Sequence, residues 1–294
     1  MHADFALHQG VLRRPDQLCA WRRLERADGR GCGTLLLLHG AGVAGELTWG
    51  AMVGYLNAWQ TLLIPDLRGM GKTHDPDHGE RSFELDAVVD DVLALLDEQR
   101  IERLAVVGYS FGGLVAMRLK QRLGERIGGL GLLEPALLER ADHAAMVQVR
   151  EHYAEAAERL RGLGDPGAGV AAFLDLIAPN RTRNPRAERL SHRRLARRPL
   201  GFANALDCVT RAVHRLDREA LLADQRNVIS LVGGKSLEPM KDYHAALDSA
   251  RDDWRFVEVP GTDHSLPFQK PRRIGELLLE HLAPGRAHCR QHVT

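Results

Sequence analysis

Apolar runs and amphipathic stretches alternate along most of the chain. Residues 35–38 and 61–66 are short, nearly continuous apolar runs, and residues 46–58 and 83–99 carry apolar side chains at helical spacing. A continuous apolar strand is typical of a strand covered on both faces. The alternation therefore predicts a parallel sheet between layers of helices, with right-handed crossovers.

Predicted strands and helices also occur on both sides of this region. The further predicted elements are an antiparallel pair of strands at 4–12 and 18–25, strands at 103–108, 127–135, 227–234 and 255–259, and helices at 112–123, 239–249 and 271–282. All of them fit an α/β fold.

The alternation stops in the middle of the chain. Residues 136–224 are mostly helical in pattern, and a length of 294 residues is enough for one core and an insertion. We therefore predict a core made of residues 1–135 and 225–294. Residues 136–224 are predicted to form a helical cap, inserted after the strand that ends at Glu134.

A serine stands at the turn between one predicted strand and the next helix. Residues 108–112 read G-Y-S-F-G, with Ser110 at the apex. Such a turn strains the apex backbone and leaves no room for bulky neighbours, which suits Gly108 and Gly112. The helix N-terminus that follows carries a partial positive charge, which favours a developing anion. We therefore predict that Ser110 is a nucleophile; an incidental serine in a tight turn is the alternative.

A histidine follows the last predicted strand, in the turn V-P-G-T-D-H-S at 259–265. A serine hydroxyl needs a base that takes its proton and a third group that orients the base. Because open parallel sheets place their sites at the carboxyl ends of the strands, His264 is predicted to share an edge with Ser110. His264 is the predicted base.

The same edge offers donors for an oxyanion. His39, Gly40 and Ala41 follow a strand predicted to lie beside the serine strand. The amides of Ala41 and Phe111 are therefore the predicted oxyanion donors, and fixed backbone donors suit this task. For His39 we expect a loop-shaping role without proton transfer.

Four motifs together resemble the α/β-hydrolase fold family: HGAG at 39–42, PDLRGMGKT at 65–73, GYSFGG at 108–113 and GTDHS at 261–265. They occur in the family's order and, with the strand pattern, span nearly the whole chain. The resemblance implies an eight-stranded, mostly parallel sheet flanked by helices. It also implies a helical cap over the site and Ser–His–acid catalysis.

The position of the catalytic acid is where this chain differs from the family pattern. The family most often places it in the turn after the next-to-last strand, where this chain has Ser236. Glu134 ends the strand that follows the serine helix, a position that some members use, and a carboxylate at a buried strand end is costly unless it is paired. We therefore prefer Glu134. The alternatives are Glu238, Asp242, Asp263 or no acid at all.

Two charged features have both a structural and a functional interpretation. Asp66 and Arg68 follow a strand end near the oxyanion loop, and we expect an ion pair that braces this loop. Residues 181–198 contain eight arginines and one acid, Glu188. A solvated helix face is the expected reading, and recognition of an anionic part of the substrate is the alternative.

Composition and charge exclude several classes of protein. A formal net charge of +1 gives no indication of nucleic-acid binding. The start lacks the pattern of a secretion signal, and the apolar runs are too short to span a bilayer. Cys19, Cys32, Cys208 and Cys289 show no metal or redox spacing and are expected to be free thiols in a reducing compartment. We expect a cytoplasmic protein and leave its oligomeric state open.

The predicted reaction is two-step acyl transfer to water, with no cofactor or metal. The expected partner is a small-molecule acyl substrate, a carboxylic ester or else a thioester or lactone. Acyl transfer to an alcohol, carbon–carbon bond hydrolysis, cofactor-free perhydrolysis and a non-catalytic ligand-binding homologue remain alternatives. The serine nucleophile argues against haloalkane dehalogenases and epoxide hydrolases, which carry aspartate there.

Overall fold

The computed structural model describes residues 4–162 and 165–283. Its strands are β1 Phe5–Arg13, β2 Leu18–Arg26, β3 Thr34–Leu38, β4 Thr61–Pro65, β5 Leu104–Tyr109, β6 Ile127–Leu133, β7 Val228–Gly233 and β8 Trp254–Val259. They form one sheet in the spatial order β1-β2-β4-β3-β5-β6-β7-β8. Every predicted strand is present, within a few residues of its expected ends.

From β3 onward the helices alternate with the strands, apart from a block of helices between β6 and β7. They are α1 Gly45–Trp49, α2 Leu85–Glu98, α3 Phe111–Leu123, α4 His143–Arg161, α5 Pro166–Ile177, α6 Pro185–Leu195, α7 Pro199–Arg215, α8 Arg218–Ala223, α9 Glu238–Ala250, α10 Leu266–Gln269 and α11 Pro271–Leu282, with 3-10 turns at Val53–Tyr55 and Gly124–Arg126.

Strand directions follow the prediction of a mostly parallel sheet. β2 runs antiparallel to both β1 and β4, and the pairs from β4 to β8 are parallel. β5 lies between β3 and β6, so the strand that precedes Ser110 has the strand that precedes His39 on one side and the strand that precedes Glu134 on the other. These three strand ends meet at one edge.

The two faces of the sheet bury separate apolar cores. In β3, Leu35 and Leu37 pack in a cluster with Trp49, whereas Leu36 and Leu38 pack in a second cluster. All four leucines are fully buried. Coverage of both faces explains why β3 is apolar from Leu35 to Leu38, including the positions that would face solvent in a one-sided sheet.

The predicted helix over 46–58 is wrong in its extent. α1 ends at Trp49, and a turn and the short 3-10 segment complete the stretch. Met52, Val53 and Leu56 are nevertheless buried as the pattern requires. Glycines at positions 50 and 54 lower the helix propensity there, and burial of these side chains does not depend on a continuous helix.

Helices α4 to α8 occupy the block between β6 and β7, as expected for a helical insertion. Aromatic contacts join three of them, since the Phe173 ring lies 5.8 Å from Tyr153 and 5.0 Å from Phe202. Glu80, which precedes α2, fastens the start of α7 by pairing with Arg198 at 2.5 Å and by accepting the Gly201 amide at 2.8 Å. The division into a core and a cap with boundaries at 135 and 225 stays a prediction.

The cysteines differ from the expectation at one position. Cys19 and Cys208 are buried free thiols, but Cys32 is disulfide-bonded, so the prediction of a free thiol is wrong there. Cys289 lies outside the described residues. In the described part of the chain, no helix is long and apolar enough to cross a membrane. The cytoplasmic location stays a prediction.

Candidate active site

Ser110 stands at a strained turn between β5 and α3. Its φ is +52°, a backbone conformation that side-chain-bearing residues rarely adopt. A Cβ atom at Gly108 would lie 2.3 Å from the Gly112 carbonyl oxygen, and one at Gly112 would lie 2.3 Å from the Leu38 carbonyl oxygen. Both glycines are therefore required, because α3 passes close to the ends of β5 and β3.

His264 lies in the turn after β8 and is held by a carboxylate. Its Nδ1 is 2.7 Å from Oε2 of Glu134, and both side chains are almost completely buried. The imidazole ring also packs against the Tyr109 ring, with 5.1 Å between centroids. The structure therefore joins two residues that are 130 positions apart in the chain.

Glu134 is fixed by three donors. Besides the His264 contact, its Oε1 accepts the Ser236 hydroxyl at 2.5 Å and the Gly233 amide at 2.7 Å. Its own backbone has φ +43°, the second strained non-glycine residue at this edge. Hydrogen bonds on both oxygens compensate for burial of the carboxylate and fix its orientation toward the ring.

None of the other candidate acids, all of which are described, is hydrogen-bonded to the His264 imidazole. Glu238 is on the surface and pairs with Lys241 at 2.5 Å. Asp242 is exposed. Asp263 is buried but accepts from the Ser265 amide and the Gln269 side chain. Of the four acids weighed from the sequence, only Glu134 is hydrogen-bonded to the imidazole.

Ser110 and His264 line the same cavity. Its volume is about 70 Å³, and its walls come from the sheet edge and from α5, α6 and α10. No hydrogen bond joins the Ser110 hydroxyl to the His264 ring, although both residues are described. Nucleophile–base contacts are often loose without substrate and tighten in the bound complex.

The amides of Ala41 and Phe111 lie beside Ser110. Both residues line a smaller recess of about 10 Å³ that Ser110 also lines. Within the described ranges neither amide has a hydrogen-bond partner. Phe111 is the first residue of α3, where backbone N–H groups have no partner inside the helix. Two free donors thus accompany the serine.

His39 contacts the loops that flank the site. The Leu67 amide donates to its Nε2 at 2.9 Å, so Nδ1 carries the proton and donates to the Gly40 carbonyl at 2.7 Å. Burial lowers the pKa of His39, which keeps the ring neutral. These contacts match the expected loop-shaping role.

The predicted Asp66–Arg68 ion pair is wrong. The Asp66 carboxylate accepts from the Gly45 amide at 2.8 Å and faces Arg22 at 3.4 Å. Arg68 pairs instead with Asp91 of α2 at 2.5 Å, and with Asp16. Asp66 still braces the loop, but through backbone amides.

Sequence reasoning missed a buried polar cluster next to the recess. Arg150 and Glu139 form an ion pair at 3.3 Å, and the Tyr153 hydroxyl donates to Glu139 at 3.0 Å. Burial and the nearby Glu139 charge raise the pKa of Tyr153 well above its ordinary value. The only available signal was an arginine on the apolar face of a helical pattern.

The structure offers no obvious metal site in the ranges 4–162 and 165–283. Within them, no group of three or more histidine, cysteine, aspartate or glutamate side chains could hold a metal ion.

An eight-stranded, mostly parallel sheet with a glycine-flanked serine at the turn after its central strand defines the α/β-hydrolase class. Comparison with known families agrees: residues 35–277 match the Alpha/beta hydrolase family. The chain belongs to this family.

Individual relatives are similar over different lengths. The chain is 30% identical to a pimeloyl-(acyl-carrier protein) methyl ester esterase of Aromatoleum aromaticum, over 77% of this chain and 85% of that protein. It is 32% identical to a 2-hydroxymuconate semialdehyde hydrolase of a Pseudomonas species, strain CF600, over 35% of this chain and only 36% of that protein.

Solved structures share the fold. A hydrolase from Pseudomonas aeruginosa PA01 superposes with a TM-score of 0.73 at 21% identity, covering 94% of this chain and 99% of that one.

Proposed function

We propose that this protein is a serine hydrolase that cleaves a carboxylic ester through an acyl-enzyme intermediate. In this proposal Ser110 is the nucleophile, His264 the general base and Glu134 the acid that orients it. The observation that carries the proposal is the buried 2.7 Å contact between His264 Nδ1 and Glu134, at the wall of the cavity that Ser110 lines.

The tautomer of His264 supports the direction of proton transfer. Because Glu134 is an acceptor, Nδ1 carries the proton and Nε2 is left with a lone pair. Nε2 takes the Ser110 proton as the hydroxyl oxygen attacks the ester carbonyl. The Glu134 carboxylate then stabilises the imidazolium ion that forms.

Negative charge on the carbonyl oxygen needs donors that are already in place. The amides of Ala41 and Phe111 are the proposed oxyanion donors, since both are unpaired in the described structure and border the serine. Loss of one such donor typically costs about 100-fold to 1,000-fold in kcat. The imidazolium returns its proton to the leaving alcohol, and water attacks the acyl-enzyme with His264 again as base.

The choice of an ester rests on chemistry and on one relative. The proposed triad needs only an acyl group with a leaving group, and the relative aligned over 77% of this chain is named an esterase. Thioesters and lactones present the same carbonyl and belong in the same substrate panel.

A fluorophosphonate probe and p-nitrophenyl esters of increasing acyl length test the proposal. We expect one equivalent of covalent label on Ser110 and ester turnover with a burst of p-nitrophenol. Ser110→Ala should abolish both. Ser249→Ala, an exposed serine on α9, is the matched control and should retain both. Label or turnover that persists in Ser110→Ala would refute the assignment.

A further inference from the structure

The arginine-rich segment at 181–198 divides into paired, exposed and cavity-lining residues. Arg181 pairs with Glu188 at 2.9 Å and Asp175 at 2.8 Å, and Arg183 also pairs with Asp175. Arg198 pairs with Glu80 of the core, as described above. The exposed members are Arg186, Arg189, Arg193 and Arg197. Seven of the eight thus fit the solvated or structural interpretation, and Arg194 remains.

Arg194 is the member that lines the cavity with Ser110 and His264. Its Cζ lies 5.3 Å from the centroid of the Phe268 ring, which also lines the cavity. In the described part of the chain, no carboxylate pairs with Arg194 and no hydrogen bond engages its guanidinium. Desolvation lowers the pKa of Arg194, yet a guanidinium stays charged at neutral pH.

No acid around the cavity balances this charge by contact. Glu134 is engaged by His264, Ser236 and Gly233, and Asp263 by Ser265 and Gln269. A partly buried cation without a counter-ion is costly, and the cost is recovered when an anion binds beside it.

The surroundings of Arg194 are suited to a small anion. Ser191 lies one turn earlier on α6, on the same face of the helix, and lines the cavity together with Ser265. Apolar side chains from Phe173, Leu174 and Ile177 make up much of the remaining wall. The cavity therefore combines one cation and two serines with an apolar lining.

We propose that Arg194 forms a subsite for a carboxylate carried by the substrate, so that the enzyme prefers esters with a second, anionic end. This specificity rests on the proposed ester hydrolysis. A single guanidinium supplies one positive charge and a planar pair of donors, which matches a carboxylate in charge and geometry. Arg194 lines the same cavity of about 70 Å³ as Ser110 and His264, so the anion and the ester would bind in one site.

Matched substrates test this preference. One pair is the mono-p-nitrophenyl ester of glutarate and its neutral methyl ester, with the anion on the acyl side. A second pair places the carboxylate on the alcohol side, as carboxymethyl butyrate against its amide. For one of the two pairs, we expect Arg194→Met to lower the anionic-to-neutral ratio of kcat/KM by about 10-fold to 100-fold, the range for a lost hydrogen-bonded charge pair. Which pair responds shows the side of the ester that reaches Arg194.

The matched control is Arg193→Met, which removes an exposed arginine from the next position of the same helix. Its ratios should equal those of the wild type. Arg194→Glu should reverse the preference and favour an ester with an ammonium group at the responding position. Equal ratios in wild type and Arg194→Met for both pairs would overturn the proposal, as would equal losses in both arginine variants.

A binding measurement separates this proposal from the reaction itself. In Ser110→Ala protein, which cannot form an acyl-enzyme, saturation-transfer NMR with monomethyl glutarate should detect binding that Ser110→Ala/Arg194→Met lacks. If wild type hydrolyses no ester but this difference is found, the proposed function fails and the anion subsite stands. Binding of equal strength in the two proteins overturns the subsite.

Discussion

The carboxyl ends of β6 and β7 lie side by side in the sheet, and they contribute differently to His264. The end of β6 supplies the charge, because Glu134 contacts the imidazole directly. The turn after β7 supplies only donors, the Gly233 amide and the Ser236 hydroxyl, and both bind the Glu134 carboxylate.

This difference shows that the position of an acid in such a sheet is not fixed by one strand. Adjacent parallel strands bring their carboxyl ends to the same edge, so a side chain from either turn reaches the same ring. Ser236, at the position where the family most often has an acid, here donates to Glu134, the proposed acid at the end of the neighbouring strand.

The largest effect should come from removing the charge at the β6 end. Glu134→Gln keeps the shape but offers His264 an amide that stabilises the wrong tautomer, and we expect kcat to fall by about 1,000-fold to 10,000-fold. Steady-state hydrolysis of a p-nitrophenyl ester measures the loss. Glu238→Gln, which alters a surface acid near the β7 turn, should leave kcat unchanged. Similar losses in both variants would contradict the assignment of the acid.

Moving the charge to the β7 turn should recover part of the activity. The Ser236 hydroxyl is 2.5 Å from Glu134, so a carboxylate at 236 lies within reach of the space that Glu134→Ala vacates. We expect Glu134→Ala/Ser236→Asp to be about 10-fold to 100-fold faster than Glu134→Ala. Glu134→Ala/Ser236→Asn has the same shape without the charge and should show no recovery. If Glu134→Ala/Ser236→Asp is no faster than Glu134→Ala/Ser236→Asn, an acid in the β7 turn cannot replace the acid at the end of β6.

The β7 side also carries a titratable group that affects stability rather than turnover. His244 of α9 is fully buried, and desolvation lowers its pKa to about 4. An unfolded histidine titrates near its ordinary value of about 6.5, so the unfolded chain binds more protons between these values. Stability should therefore fall as the pH drops, by about 2 kcal/mol between pH 7 and pH 5 from this residue.

Urea unfolding at the two pH values checks this sign. His244→Leu should reduce the difference, while buried His39, whose pKa is also lowered, still contributes in the same direction. His143→Gln, at an exposed histidine, serves as the control and should keep the full difference. An unchanged pH dependence in His244→Leu would show that another group carries it.

The smallest effect should come from the donor at the β7 turn. Ser236→Ala removes one of three hydrogen bonds to the Glu134 carboxylate, and we expect kcat to fall by about 3-fold to 10-fold with KM unchanged. Ser249→Ala provides a serine replacement far along α9 that should not alter kcat. If Ser236→Ala changes KM and not kcat, Ser236 acts on substrate binding instead.

The sequence predicted those features that depend on local pattern. Continuous apolar runs predicted β3 and β5, and the glycines around Ser110 predicted a close approach that a Cβ atom would prevent. The 46–58 helix was wrong because apolar spacing specifies which side chains are buried and not the backbone path between them. Local pattern therefore gave the sheet and the strand ends, but not every helix.

Ion pairs could not be predicted in the same way. Asp66 and Arg68 are close in sequence, yet Arg68 pairs with Asp91 of α2 instead. Arg198 pairs with Glu80, which is more than a hundred residues away from it in the chain. Such partners are chosen by tertiary contacts between elements. For the same reason, Glu134 could be preferred from its buried strand end, whereas the isolation of Arg194 became visible only in the structure.

The placement of the helical insertion has a consequence for engineering. Ser110 and Glu134 both precede α4, and His264 follows α8 by about forty residues, so the hydrogen bond between His264 and Glu134 involves no side chain from α4 to α8. In a family member with its acid after β7, the insertion lies between the nucleophile and the acid, whereas here the proposed nucleophile and the proposed acid both precede the insertion. Exchanging the segment between β6 and β7 for that of another family member would then alter what is recognised while the reacting groups keep their geometry.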